Sequence, residues 1–215
     1  MTYLNLINNV LKRLRESEVT TVNQTAYSSL IGVFVNDAKY EIENAWNWSG
    51  LRKTLTATTS QDIFNYELNG TQNRATVLNV INDTDNFFME YKPATELDGL
   101  FLNQTPDTGS PRYYGFNGIS ADGDTQVDVY PIPDKAYTLR FNVIERTGEL
   151  SSGTDTLLIP AQPVQMLAYA KAIEERGEDG GVSSSSAYAT ANRMLNDAIA
   201  FDAAKHPEET IWYTA

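Results

Sequence analysis

The chain has no cysteine. Disulfide staples and thiolate metal sites are thereby excluded, and the composition fits a protein made in a reducing cytoplasm. Histidine is nearly absent too: His206 is the one copy. Any histidine-based triad would need it, yet no G-x-S-x-G or comparable nucleophile context accompanies it. No Walker A sequence and no G-x-G-x-x-G occur. Long apolar runs are missing: nowhere do about eighteen uncharged apolar residues follow one another, so no membrane-spanning helix is expected. At the N-terminus Lys12 and Arg13 follow an amphipathic stretch rather than a continuous apolar one, and no signal peptide is expected. Basic residues are in short supply, 16 against 28 acidic, for a net charge of −12. The deficit is uneven. Residues 1–52 are balanced, residues 53–160 carry −8, and residues 161–215 carry −4. Such a surface repels phosphates, which argues against sequence-specific nucleic-acid binding.

What is present begins with helical periodicity. Leu4, Ile7, Val10, Leu11 and Leu14 recur at spacings of three and four, predicting an amphipathic helix over residues 2–15. A second helix is predicted over residues 25–46, with Thr25 as N-cap. Its apolar stripe holds Tyr27, Leu30, Ile31, Phe34, Ala38, Ile42 and Ala45. Asn47, Ser49 and Gly50 end it. We expect the two helices to pair antiparallel, with Leu30, Phe34 and Trp46 in the core.

The pattern then turns to alternation. Residues 51–59, 63–68, 76–81, 87–91, 113–116, 125–130 and 137–144 read as strands, and residues 93–102 as a short helix. Asn69-Gly70 and residues 120–124 read as turns. Helical period returns after Pro160. Residues 161–176, which include Leu167, are apolar nearly all round. A helix without a polar face is buried on several sides, as the central helix of a bundle or as a subunit interface. Residues 177–186 (GEDGGVSSSS) read as a flexible connector by composition. A last helix over residues 186–205 stops at Pro207, leaving Ile211, Trp212 and Tyr213 near the end.

The expected fold is therefore α+β: a four-helix bundle formed by N- and C-terminal helix pairs, with a central antiparallel β insertion. The expected division is residues 1–50 and 161–206 as the bundle, 51–160 as the β-rich insertion, and 207–215 as a C-terminal tail.

No catalytic, cofactor or metal constellation emerges. Asp122-Gly123-Asp124 lacks the spaced ligands and closing glutamate of a calcium loop, which leaves a hairpin turn. Asp37 and Glu41 lie one turn apart, and a salt bridge to Arg13 or Arg15 explains them more simply than a metal or an acid/base pair. Asp202 on the last helix has the same structural explanation.

Two stretches carry a resemblance. The first is the opening MTYLNLINNVLKRLRE with residues 35–52, VNDAKYEIENAWNWSGLR, whose Asn36-Asp37-Ala38 and Ala45-Trp46-Asn47-Trp48 lead into a strand. The second is PVQMLAYAKA, residues 163–172. Together they cover about a third of the chain, and they resemble the head-to-tail adaptor (connector) proteins of tailed bacteriophages, the family of tail tubular protein A. The resemblance implies a non-enzymatic virion part without a cofactor, made in the host bacterial cytoplasm and placed at the head–tail junction. It implies a ring of twelve copies that caps the portal protein, meets a tail nozzle and fibres below, touches no membrane, and extends a channel through which DNA passes without sequence-specific contact. An acidic wall would suit such a channel, although solubility alone explains it equally. Family members insert a C-terminal segment into the portal, which maps here onto Ile211, Trp212 and Tyr213. The rival within the class is another head- or tail-completion protein. The rival outside it is a carbohydrate-binding or hydrolytic tail protein using carboxylates of the β region.

Overall fold

The computed structural model describes residues 1–102, 105–177 and 182–205. The chain divides into two compact units, residues 1–50 with 148–215, and residues 51–147. The first is helical and the second is built on a sheet.

The helical unit opens with α1 (Tyr3–Arg13), capped by the Thr2 hydroxyl, which accepts from the Asn5 amide at 3.4 Å. Helix α2 (Ala26–Ala45) starts in a reciprocal cap. The Ser28 amide donates to the Thr25 hydroxyl at 2.9 Å and the Thr25 amide to the Ser28 hydroxyl at 3.1 Å. Both bonds satisfy amides that a helix start leaves orphaned. Helix α4 (Ala161–Arg176) ends at Gly177, whose φ of 63° places it in the left-handed region where glycine carries no Cβ penalty. Helix α5 (Val182–Ala204) follows.

Helix α4 packs against α1, α2 and α5, and this is why it has no polar face. Helix α5 is different. Over its 23 residues only Ser184, Ala187, Ala191 and Asp202 are buried. Residues 182–186, expected in a connector, form its first turn. Serine and alanine do not forbid a helix; they supply little apolar area to anchor one.

Residues 148–160 belong to this unit. They run as a strap over the first two helices. The Tyr3 amide donates to Asp155 O at 2.8 Å and the Leu157 amide to Met1 O at 2.9 Å. Buried Asn36 both accepts from the Leu150 amide and donates to the Leu150 carbonyl, each at 3.0 Å. Leu150, Leu157 and Ile159 are buried beneath the strap.

The second unit carries β1 (Arg52–Thr58), β2 (Asn65–Leu68), β3 (Ala75–Asn82), β4 (Phe87–Tyr91), α3 (Ala94–Leu102), β5 (Tyr113–Ile119), β6 (Thr125–Tyr130) and β7 (Thr138–Glu145). The seven strands form one sheet in the order β1-β7-β3-β4-β5-β6-β2. All neighbours are antiparallel except β4 and β5, which run parallel. The sheet curls until its edge strands β1 and β2 approach each other, a nearly closed barrel. Its interior is apolar: Val80, Val127, Val129, Leu139, Phe141 and Val143 are fully buried. Helix α3 packs on β5 through Leu97. Gly115 makes that approach feasible, since a Cβ there would lie 2.8 Å from Lys92 O and 3.1 Å from Leu97 Cδ2.

The expected four-helix bundle with a central antiparallel β insertion is corrected by this architecture. The described residues form a mixed α+β chain with five α-helices and a seven-stranded barrel-like sheet that owns a separate core. Two physical reasons account for the difference. Helix α5 packs on α4 and leaves its large apolar side chains, Tyr188, Met194, Leu195 and Ile199, only half-buried. The strands pair with distant partners, β2 with β6 and β3 with β7, which alternation along the chain does not encode.

Candidate functional site

Of the four residues expected in the helical core, Leu167 is buried while Leu30 and Phe34 are half-buried on α2. Trp46 is 37% exposed, and Trp48, at 1%, occupies the interior instead. The cause is local. Helix α2 stops at Ala45, and Trp46 takes an extended backbone with φ −151° and ψ 157°. This rotates its ring off the helical stripe. The indole of Trp48 returns underneath and donates to Ile42 O at 2.7 Å. Ile211, Trp212, Tyr213 and His206 lie outside the described residues.

The carboxylates singled out from the sequence hold the fold together. Asp124 accepts from the Gly70 and Gln72 amides at 2.8 and 2.7 Å, so the Asp122–Asp124 segment ties two turns together. Glu41 pairs with Lys171 on α4 at 2.6 Å, not with Arg13 or Arg15. Asp202, buried on α5, accepts from the Ser49 amide at 2.9 Å and the Ser49 hydroxyl at 2.5 Å. Burial pushes this carboxyl up, but the Ser49 bonds and Lys205 outweigh it and hold it below the usual carboxylate range. In the β unit Asp128 accepts from Asn65 at 2.6 Å, Asp83 from Arg140 at 2.8 Å, Asp134 from the Tyr137 hydroxyl at 2.6 Å, and Glu67 from Ser120. Each is spent on a turn or a strand pair. Among the described residues no group of three or more His, Asp or Glu is placed to hold a metal ion.

What the helical unit does offer is contact surface of two kinds. One is an arginine-lined pocket of about 520 Å³ bounded by Arg13, Arg15, Tyr169, Ile173 and Arg176. Arg176 is fixed by the Tyr27 hydroxyl at 2.8 Å and by Glu16 at 2.6 Å. Arg13 lies over the Tyr169 ring, 6.0 Å from its centroid. Arg15 follows the C-terminus of α1 with φ 60° and is exposed. The pocket concentrates positive charge on a chain that is otherwise acidic. Sequence reading saw Arg13 and Arg15 only as partners for Asp37 and Glu41, and gave Arg176 no role. The other surface is a groove of about 300 Å³ between the start of α4 and the end of α5, walled by Pro160, Pro163, Met194, Ala198 and Phe201. Phe201 is 71% exposed. Large exposed aromatics on a half-supported helix are typical of surfaces that meet another protein.

A third surface lies on the β unit. Tyr91 and Phe116 are exposed with their ring centroids 5.7 Å apart, and Tyr114 stands behind both at 5.7 and 6.2 Å. Phe88 and Leu102 are also largely exposed.

Helices and a barrel that spend their carboxylates on structure and leave aromatic and arginine-rich faces outward define a protein of contacts, a structural part of a larger assembly. The comparison with protein families is specific. The family model for the SU10 adaptor protein matches residues 1–210, and the chain belongs to that family. It is a bacteriophage adaptor protein, a structural and non-enzymatic family whose members are virion components that interact with other virion proteins. A search of curated proteins returned no match to this chain.

Proposed function

We propose that this adaptor closes into a ring, of twelve copies, between the portal protein and the tail, at the head–tail junction, and that the ring lengthens the channel through which DNA leaves the head. The observation that carries the reading is the family match over residues 1–210. A closed ring needs two different complementary faces on each copy. The arginine pocket and the α5 groove supply two such faces of unlike chemistry. The aromatic surface of the β unit is the contact for the tail nozzle or fibres. Residues 207–215 enter the portal, with Ile211, Trp212 and Tyr213 as anchors, since Trp and Tyr bring large contact area at small entropic cost. Twelve weak tails would hold together through avidity. No cofactor and no membrane contact is part of this role, and DNA passes without sequence readout.

The test is the mass of the assembly. The purified chain, alone and mixed with the portal ring of the same phage, is measured by mass photometry and imaged by electron microscopy. A ring of adaptor copies on the portal is the expected result. A chain that stays monomeric and ignores the portal would overturn the reading. Deleting residues 207–215 is expected to abolish capture by the portal while leaving the circular dichroism spectrum intact; retained capture would remove the tail from the mechanism.

A further inference from the structure

The chain contains two Asn-Gly pairs, Asn69-Gly70 and Asn117-Gly118, both exposed. Asn-Gly is the pair most prone to deamidation, because glycine offers no side chain to block the approach of its amide. The Gly backbone nitrogen, having lost its proton to base, attacks Cγ of the asparagine. A C–N bond forms, ammonia leaves, and a succinimide results. Water then opens the ring at either carbonyl to leave aspartate or isoaspartate. Asparagine and water go in, and ammonia and an acidic residue come out, so no oxidant or partner is required.

The structure separates the two pairs at the attacking atom. The Gly70 amide, at φ +84°, donates to Asp124 Oδ2 at 2.8 Å, and Gln72 holds the other oxygen of the same carboxylate at 2.7 Å. A negative charge bonded to an N–H opposes loss of its proton, since like charge disfavours the new anion. Asp124 is itself secured, its amide donating to the Ser120 hydroxyl at 3.1 Å. Asn117 and Gly118 stand in the irregularity of β5. The ladder to β6 pairs Phe116 with Val127 and then Ile119 with Thr125, leaving the pair out of register, with Gly118 at φ +80°. Among the described residues no carboxylate accepts from the Gly118 amide, in contrast to the Gly70 amide on Asp124.

We propose that Asn117 is the chain's site of spontaneous deamidation and that Asp124 protects Asn69 by holding the Gly70 amide. The modification writes a new negative charge, and in the isoaspartyl form an extra backbone carbon, into an exposed bulge of the β unit.

The full chain is incubated at mildly alkaline pH, and conversion at each asparagine is followed over time by peptide mass spectrometry with separation of the isoaspartyl form. Asn117 is expected to convert about tenfold or more faster than Asn69, one unit of amide acidity being tenfold in the attacking anion. Asp124→Ala is expected to raise the rate at Asn69 by about tenfold and leave Asn117 unchanged. Asp124→Asn keeps an acceptor oxygen without the charge and falls between the two, which guards against loosening of the turn as the cause. Equal rates at the two sites, or an Asn69 rate indifferent to both variants, would overturn the proposal.

Discussion

The two units bury their polar atoms in opposite ways. In the helical unit a strap with no helix or strand of its own, only an isolated bridge between Thr156 and Thr2, crosses two helices, and a buried asparagine stitches it down. Asn36, 3% exposed, exchanges two hydrogen bonds with Leu150 and donates to the Tyr3 hydroxyl at 3.2 Å. In the β unit the backbone satisfies itself across the sheet, and the interior is filled by valine, leucine and phenylalanine. The strap of the first unit therefore depends on a few directional bonds, and the barrel of the second on apolar volume. An unsatisfied buried polar group costs more than the bond it loses, whereas a truncated core side chain costs its transfer energy plus a cavity. Equal stability can rest on unequal foundations, and substitutions can tell them apart.

The sharpest contrast comes from Phe141→Ala. Phe141 is fully buried at the centre of the barrel, and its loss should cost about 3–5 kcal/mol. Amide exchange should speed up in β3, β6 and β7 while α1 and α2 keep their protection. Equal loss of protection in both units would break the contrast by making one core of two.

Asn36→Leu tests the other side. It leaves the Leu150 amide and carbonyl buried without partners, at a cost of about 2–3 kcal/mol measured by denaturant unfolding. A neutral result would mean that the strap is held by Leu150, Leu157 and Ile159 alone. The same node carries Tyr3, whose hydroxyl is pushed up to about 12, by burial first and then by Glu149 and Asp155. The sign follows from linkage: the folded state holds the proton more tightly. Its contribution is complete below the ordinary tyrosine value of about 10 and disappears as pH rises from there through the folded value. Tyr3→Phe should flatten the alkaline loss of stability over that range. An unchanged alkaline limb would locate the loss elsewhere.

The smallest effect is the most diagnostic. Trp46→Ala should cost less than about 1 kcal/mol, as surface positions do, despite the size of the side chain. A loss comparable to Phe141→Ala would return Trp46 to the core and contradict the helix end at Ala45.

Sequence reading went furthest where one residue's position implied its neighbour's. The Thr25 cap and the span of α4 are local matters, and the strands of the β unit were visible as alternation, but the stripe of α2 was read only in part: Ile31, Ala38 and Ile42 are buried, Leu30 and Phe34 half-buried, and Ala45 exposed. The resemblance in residues 1–52 and 163–172 pointed to the adaptor family, which the family match over residues 1–210 established. The candidate surfaces were less visible. Arg176 is more than 150 positions from Arg13 and Arg15, and nothing in the spacing shows that the three share a pocket. Trp46 and Trp48 are two positions apart and looked alike. A single extended residue decided which one went inside.

By itself the sequence determined most of the elements: which stretches are helical and which alternate. The reason is that caps, periodicity and turn residues act within a few positions of one another. Tertiary structure alone decided the pairing of β2 with β6 and β3 with β7, the parallel contact of β4 and β5, the closing of the sheet around its own core, and the strap over α1 and α2. These depend on side chains that meet only once distant segments have been brought together, and strand register carries no local label.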